Sequence, residues 1–124
     1  MFRNMTIVSN VETDAKALKG RSGISRIANA TRYSIAGLKA AYCGEAAFRQ
    51  LLLLNLVLIP VACALEVSRS ERVLLIVVPL MSLIVELFNS AIEATVDRVS
   101  LAIHPLSKQA KDMGSAAQML ALLL

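Results

Sequence analysis

Five polar side chains lie on one face of an otherwise apolar helix: Glu86, Asn89, Ser90, Glu93 and Asp97. At about 100° per residue they fall within an arc of about 100°, and at about 1.5 Å per residue the stripe is about 16 Å long. A charge deep in a bilayer is costly, so such residues usually face a protein interior or a wet cavity and mark function. The alternative is a helix that has left the membrane by residue 90 and is solvated on one side.

Carboxylates grouped in this way could support phosphoryl transfer. Paired carboxylates can hold Mg²⁺, a nearby lysine can neutralise phosphate charge, and a further carboxylate in an apolar setting can act as a general base. The sequence contains no G-x-x-x-x-G-K-[ST] loop and no kinase-like glycine-rich loop. From the residues alone, three classes stay open: a membrane-embedded enzyme, an ion or proton transporter that uses Glu86, and a structural or regulatory membrane protein.

Composition and charge indicate one small membrane domain. The chain has 124 residues, of which 56% are hydrophobic, and a net charge of +4. Seven of the 13 lysines and arginines lie in residues 1–45, without the aromatic or repetitive pattern of a nucleic-acid-binding arm. We therefore expect a membrane surface, and not nucleic acid, as the partner. The two cysteines, Cys43 and Cys63, have no metal-ligand spacing, and no signal peptide is expected in the first 24 residues.

The N-terminal region predicts a disordered segment followed by a surface helix. Residues 1–24 are polar and mixed in charge, so we expect them to be disordered. Ser25 is the expected N-cap of a helix over residues 26–42. An apolar arc of about 80° on that helix is typical of a helix in the membrane interface, and ordinary packing on protein is the alternative. The arc consists of Ile27, Ile35, Leu38 and Tyr42, and it is flanked by Arg32 and Lys39.

The rest of the chain predicts an all-α membrane protein with two transmembrane helices and the start of a third. Residues 46–65 match the length of a bilayer core, and residues 72–97 form a second apolar helix. Residues 98–112 are expected to be a polar connection. A third apolar run over 113–124 is too short to span a membrane, so it is expected to be truncated, part of a fragment, or half-inserted.

Positive charges near the span ends predict the orientation. Lysine and arginine are concentrated before residue 46 and in 98–112, whereas the 66–71 turn carries only one arginine. We therefore expect the N-terminus and the 98–112 connection to be cytoplasmic. Three separate segments then contribute polar side chains at one cytoplasmic level: Glu45, Glu86, Asn89, Glu93, Asp97, Lys111 and Asp112.

Two long motifs carry a resemblance to a known family. The first is E-A-A-F-R-Q over 45–50, and the second is E-L-F-N-S-A-I-E-A-T-V-D-R over 86–98. His104 and the A-K-D-M-G-S-A-A run over 110–117 continue the pattern in register. Over about residues 25–120 the chain resembles the small integral-membrane diacylglycerol kinases of bacteria.

The resemblance implies a reaction and an assembly. Members of that family transfer the γ-phosphate of MgATP to the hydroxyl of diacylglycerol, giving phosphatidic acid. They are homotrimers of three-helix subunits in the bacterial inner membrane, with active sites between neighbouring subunits at the cytoplasmic face. We therefore expect Mg²⁺ as cofactor, and ATP, diacylglycerol and further copies of the chain as partners.

The resemblance also implies roles for individual residues. Glu86 would be the general base, Glu45 and Glu93 the metal ligands, and Asn89 and Asp97 supporting residues, although a structural helix-end role for Asp97 is equally open. The implied nucleotide-binding set is Arg26, Tyr33, Glu45, Glu93, His104, Lys111 and Asp112. The implied lipid-binding set is Arg26, Ser34, Lys39, Gln50, Glu86 and Ser115.

The sequence departs from the family pattern at three places. Leu51 replaces an expected acidic residue, Ile35 and Tyr42 stand where interfacial tryptophans are common, and the third helix is short. A related branch phosphorylates undecaprenol, and an inactive truncated homologue is a further alternative. The E-A-A-F-R-Q motif favours diacylglycerol.

Overall fold

The computed structural model describes residues 23–124, which form four α-helices and no strand. Residues 1–22 lie outside the described range, so the expected disorder of residues 1–24 stays a prediction for them. The chain divides into two compact units after Leu38. The helices are α1 (Ile24–Gly44), α2 (Ala46–Ala64), α3 (Arg69–Val99) and α4 (Pro105–Leu123).

Helix α1 begins at a glycine and not at the expected serine cap. Gly23 has a φ of 75°, a conformation that glycine adopts without steric cost. Its carbonyl accepts the backbone N–H groups of Arg26 and Ile27 at 3.0 and 3.4 Å. Ser25 therefore lies inside the first turn, and the prediction that it caps the helix was wrong.

A single extended residue separates α1 from α2. Glu45 has φ −115° and ψ 112°, which breaks the helix although the chain continues in helical form on both sides. The carbonyls at the end of α1 need hydrogen-bond donors at this break. Arg49 supplies them, because its Nη1 donates to the carbonyls of Tyr42 at 2.8 Å and Cys43 at 3.3 Å.

The turn between α2 and α3 is closed by a capping box and a second arginine. Ser68 Oγ accepts the N–H of Glu71, and the Glu71 carboxylate accepts the N–H of Ser68 at 2.8 Å. Arg72 Nη2 donates to the carbonyl of Leu65, the C-cap of α2, at 2.9 Å. This cap explains why α3 begins at Arg69, three residues before the predicted start at 72.

The predicted polar connection over 98–112 is mostly helical. Helix α3 continues to Val99 and α4 begins at Pro105, so the connection comprises only residues 100–104. His104 caps α4 by accepting the N–H of Leu106 on Nδ1 at 3.1 Å, and Pro105 occupies the first helical turn. The expected start of the last helix at 113 was therefore wrong, because a capped polar turn precedes the apolar run.

Helix α3 is central, since it packs against both α2 and α4. The buried positions mix apolar and polar side chains: Phe48, Leu51 and Ala62 are buried, and so are Asn55 and Ser82. Asn55 Nδ2 donates to the carbonyl of Leu51 at 2.8 Å and to the carbonyl of Pro79 at 3.1 Å, which links α2 to α3. Leu51, which replaces the expected acidic residue, packs into this core.

Within residues 23–124, two helices are long and apolar enough to cross a membrane, α2 and α3. Only 22% and 11% of their apolar windows are buried within the chain, unlike the core helix of a soluble protein. Their apolar surface is left for lipid or other subunits to cover. Helix α4 does not meet the same criterion, so the expected third span is not confirmed.

The capping box of α3 makes a testable contribution to stability. Replacing Ser68 with alanine removes the hydroxyl that accepts the Glu71 N–H, so we expect a loss of about 1 kcal/mol. Thermal unfolding in detergent measures the loss. Ser70→Ala is the matched control, because it removes a serine hydroxyl from the second residue of α3 and not from its N-cap. Equal melting temperatures for the two variants would contradict the capping role of Ser68.

Candidate active site

Three carboxylates lie together in the second compact unit. The side chain of Glu86 in α3 is buried, with 4% of its surface exposed. Glu45 and Glu93 are close enough to interact electrostatically with it. An isolated buried charge is strongly unfavourable, and like charges nearby add to the cost of keeping the Glu86 carboxylate in this position.

The local structure explains how these three side chains meet. Glu86 and Glu93 are seven residues apart on α3, which is close to two helical turns and places both on one face. Glu45 comes from a different part of the chain, the extended residue between α1 and α2. The break that Arg49 stabilises therefore brings the third carboxylate to the other two.

Asn89 lies between the two glutamates of α3 and orients one of them. Its Nδ2 donates to Glu93 Oε1 at 3.4 Å. Its buried Oδ1 has no hydrogen-bond partner within residues 23–124 and points at α4, where a Cβ on Gly114 would overlap it. Glycine at 114 therefore allows α4 to approach the Asn89 side chain closely.

An ion pair joins α3 to α4 beyond this contact. Lys111 Nζ donates to Asp97 Oδ1 at 2.6 Å. The hydrogen bond to Asp97 raises the pKa of Lys111 above its usual value, and the negative charges of Asp97 and Glu93 act in the same direction. Lys111 therefore stays cationic at neutral pH and is the ammonium group that interacts with the carboxylate cluster.

A polar cleft of about 470 Å³ opens beside this ion pair. Asp97, His104, Lys111 and Asp112 all line it, and Lys108 forms an ion pair with Asp112 along α4. Four of the residues assigned to nucleotide binding or its support from the sequence thus surround one cleft.

The donor set fits a divalent cation bound together with phosphates. Glu45 and Glu93 offer two carboxylates beside Glu86, and the one nearby ammonium group is already paired with Asp97. Mg²⁺ is commonly held by one or two carboxylates, with water and substrate phosphate completing the coordination. In the described part of the chain no group of three or more histidine, cysteine or acidic side chains could hold a metal ion, so a cation here would have at most two protein carboxylates and would need those external ligands.

The other predicted site residues are distributed over the two compact units. Arg26, Tyr33 and Ser34 belong to the first compact unit, where Arg32 stacks on the Tyr33 ring and Ser34 Oγ donates to the carbonyl of Ala30. Lys39, Gln50 and Ser115 are exposed in the second unit. Their proposed contacts with nucleotide or lipid stay predictions.

Three features of the site were not predicted from the sequence. They are the hydrogen bond from Arg49 to the end of α1 beside Glu45, the contact of Asn89 with Gly114, and the ion pair of Lys108 with Asp112. The spacing of four residues between Lys108 and Asp112 is a signal that helical periodicity could have provided. The other two depend on contacts between chain segments, for which the sequence contains no local pattern.

The helices and the acidic cluster define an all-helical, membrane-type protein with a carboxylate-rich site. The sequence model for prokaryotic diacylglycerol kinase matches residues 32–124. The chain is 72% identical over 104 residues to the diacylglycerol kinase of Pseudomonas aeruginosa, covering 84% of this chain and 85% of that protein. It is 48% identical over 103 residues to the Escherichia coli K12 diacylglycerol kinase, covering 83% and 84%. The Helicobacter pylori 26695 diacylglycerol kinase is 43% identical over 116 residues, covering 94% and 88%.

This chain belongs to the prokaryotic diacylglycerol kinase family. The resemblance inferred from the two motifs is confirmed. The match covers α2, α3, α4 and most of α1, so the acidic cluster lies entirely within the matched region.

The contact at Gly114 predicts a sensitive position. In Gly114→Ala the added methyl group would overlap Asn89 Oδ1, so either the amide rotates away from Glu93 or α4 moves outward. We expect at least a tenfold loss of kinase activity, because displacing a catalytic side chain by about 1 Å is enough to slow a reaction by that amount. Phosphate transfer to diacylglycerol in mixed micelles measures it.

Gly37→Ala is the matched control. A Cβ at Gly37 would have no atom within 4 Å, so the same chemical change should leave activity near that of the parent chain. Full activity in Gly114→Ala would show that the close approach of α4 is not required.

Proposed function

We propose that this chain is an ATP-dependent diacylglycerol kinase that forms phosphatidic acid at a membrane. The family supports lipid phosphorylation. The observation that assigns the reaction to a site is the buried Glu86 carboxylate, with which Glu45 and Glu93 interact electrostatically. A buried carboxylate next to a phosphate-binding group is the arrangement that phosphoryl transfer to an alcohol requires.

Glu86 acts as the general base. The hydroxyl oxygen of diacylglycerol attacks the γ-phosphorus of ATP, the bond from that phosphorus to the bridging oxygen breaks, and ADP leaves. Glu86 accepts the hydroxyl proton as the new phosphorus–oxygen bond forms. The apolar surroundings of α3 bring the carboxylate to the depth at which a lipid headgroup can reach it.

Glu45 and Glu93 would hold the Mg²⁺ that accompanies the ATP phosphates. The metal, when bound, neutralises charge on the transferred phosphoryl group. Asn89 orients Glu93, and Lys111 supplies a further positive charge to the phosphates. The cleft beside Asp97 and His104 accommodates the rest of the nucleotide.

The remaining assignments concern the lipid and the assembly. Apart from the buried Glu86, the residues proposed for the lipid contacts are exposed, and so are Arg26 and Tyr33, which are proposed for the nucleotide. We assign the chain to a homotrimer in the bacterial inner membrane, with the N-terminus and active site cytoplasmic. The little-buried apolar faces of α2 and α3 leave surface for lipid or neighbouring subunits, and the basic residues before residue 46 and in 98–112 support the orientation. The proposed lipid set is Arg26, Ser34, Lys39, Gln50, Glu86 and Ser115.

Glu86→Gln tests the general base. The amide keeps the size of the side chain but does not accept the proton, so turnover should fall by about 10²–10⁴-fold. The measurement is transfer of labelled γ-phosphate from MgATP to diacylglycerol in mixed micelles, with undecaprenol as a second acceptor.

Glu66→Gln is the control for this variant. It makes the same replacement on an exposed residue in the α2–α3 turn, and it should leave transfer unchanged. Unchanged turnover in Glu86→Gln would eliminate Glu86 as the base. Faster transfer to undecaprenol than to diacylglycerol by the parent chain would reassign the lipid substrate.

The metal assignment predicts a changed magnesium requirement. Glu45→Gln and Glu93→Gln each remove one carboxylate ligand, so half-maximal activity should need about 10–100-fold more Mg²⁺. Titration of activity with Mg²⁺ at saturating ATP measures this, with Glu66→Gln as the same control. An unaltered Mg²⁺ requirement in both variants would show that the metal binds elsewhere.

A further inference from the structure

The ion pair between Lys111 and Asp97 is the one ion pair between different helices in residues 23–124. Asp97 lies near the end of α3 and Lys111 in the second turn of α4. The two side chains are 14 residues apart in sequence and meet at 2.6 Å. By contrast, Lys108 and Asp112 pair within a single helix.

The Lys111 ammonium group keeps unused hydrogen-bonding capacity. It has three donors, and Asp97 accepts one of them. The two side chains are 40% and 48% exposed, and both line the polar cleft. A phosphate in that cleft can therefore share Lys111 with Asp97.

Lysine needs such a partner if it is to act at a fixed point. Its charge is carried on a flexible four-carbon stem, so a free lysine would occupy many rotamers. An exposed ion pair contributes little to folding stability, which makes stability a weak reason for this contact. The effect of Asp97 is instead to restrict where the ammonium group lies.

We infer that Asp97 is a positioning residue, which holds the Lys111 ammonium group at the cleft in the geometry that binds the ATP phosphates. This inference rests on the proposed kinase function and names a role for a side chain that does not itself contact substrate. An alternative hypothesis predicts the opposite change in nucleotide affinity. If Asp97 competed with phosphate for Lys111, removing the charge of Asp97 would tighten nucleotide binding.

Asp97→Asn separates the two possibilities. We expect the KM for MgATP to rise about tenfold with a smaller change in kcat, because a contact to the bound nucleotide loses its orientation. Asp97→Glu, which keeps the carboxylate, should recover part of the loss. A lower KM in Asp97→Asn, or an unchanged KM and kcat, would overturn the positioning role.

A charge exchange distinguishes positioning from a purely structural pair. The double variant Asp97→Lys with Lys111→Asp keeps one cation and one anion across α3 and α4. An exposed ion pair contributes little to folding stability, so the melting temperature of this variant should stay close to that of the parent chain. Its nucleotide affinity should be low, because the cation then lies on α3. Nucleotide affinity equal to that of the parent chain would show that the pair only joins the helices.

Direct binding keeps this test independent of turnover. Calorimetric titration of each variant with MgATP in detergent measures affinity without a lipid acceptor, and we expect about tenfold weaker binding in Asp97→Asn. If the parent chain binds MgATP but does not phosphorylate diacylglycerol, the proposed substrate fails while the positioning role is still measured. Equal affinity of the parent chain and Asp97→Asn would remove the positioning role whatever the activity.

Discussion

The cost of burying the Glu86 carboxylate is the constraint on which the rest of this structure depends. Its side chain is 4% exposed on a helix whose other faces are largely apolar, and two further carboxylates lie near it. A low-dielectric setting makes like charges repel strongly and makes a cation correspondingly favourable. The same energetics favour a cation or an added proton at the cluster, and the proposed Mg²⁺ site and general base rest on this.

The ends of the helices determine which side chains reach that cluster. Helix termini leave carbonyls without partners, and in an apolar environment this is costly. Arg49 and Arg72 each reach back to the carbonyls of the preceding helix. At the first of these breaks the chain leaves helical geometry for one residue, Glu45, and that residue becomes part of the acidic cluster. The break at which Arg49 hydrogen-bonds the last carbonyls of α1 is therefore also the place where Glu45 enters the acidic cluster.

The contact between α3 and α4 transmits small changes to the site. The side chain of Asn89 packs against Gly114, and Lys111 forms an ion pair with Asp97. The first contact governs how closely the helices approach, and the second governs where a cation lies beside the cleft. Because α4 carries both Gly114 and Lys111, a shift of α4 would change the space around the Asn89 side chain and the position of the ammonium group together.

The sequence by itself determined the polar stripe from Glu86 to Asp97, the two apolar helices and the family, because helical periodicity and contiguous motifs are local properties. It misplaced the start of α1 and the polar connection after residue 97, where Gly23 and His104 act as the helix-start signals. Glu45 was expected at the level of Glu86 and Glu93, but only the tertiary structure decided how the break between α1 and α2 brings it there and that α4 packs against Asn89. Those contacts depend on the register between packed helices, which the alternation of residue types within one helix does not encode.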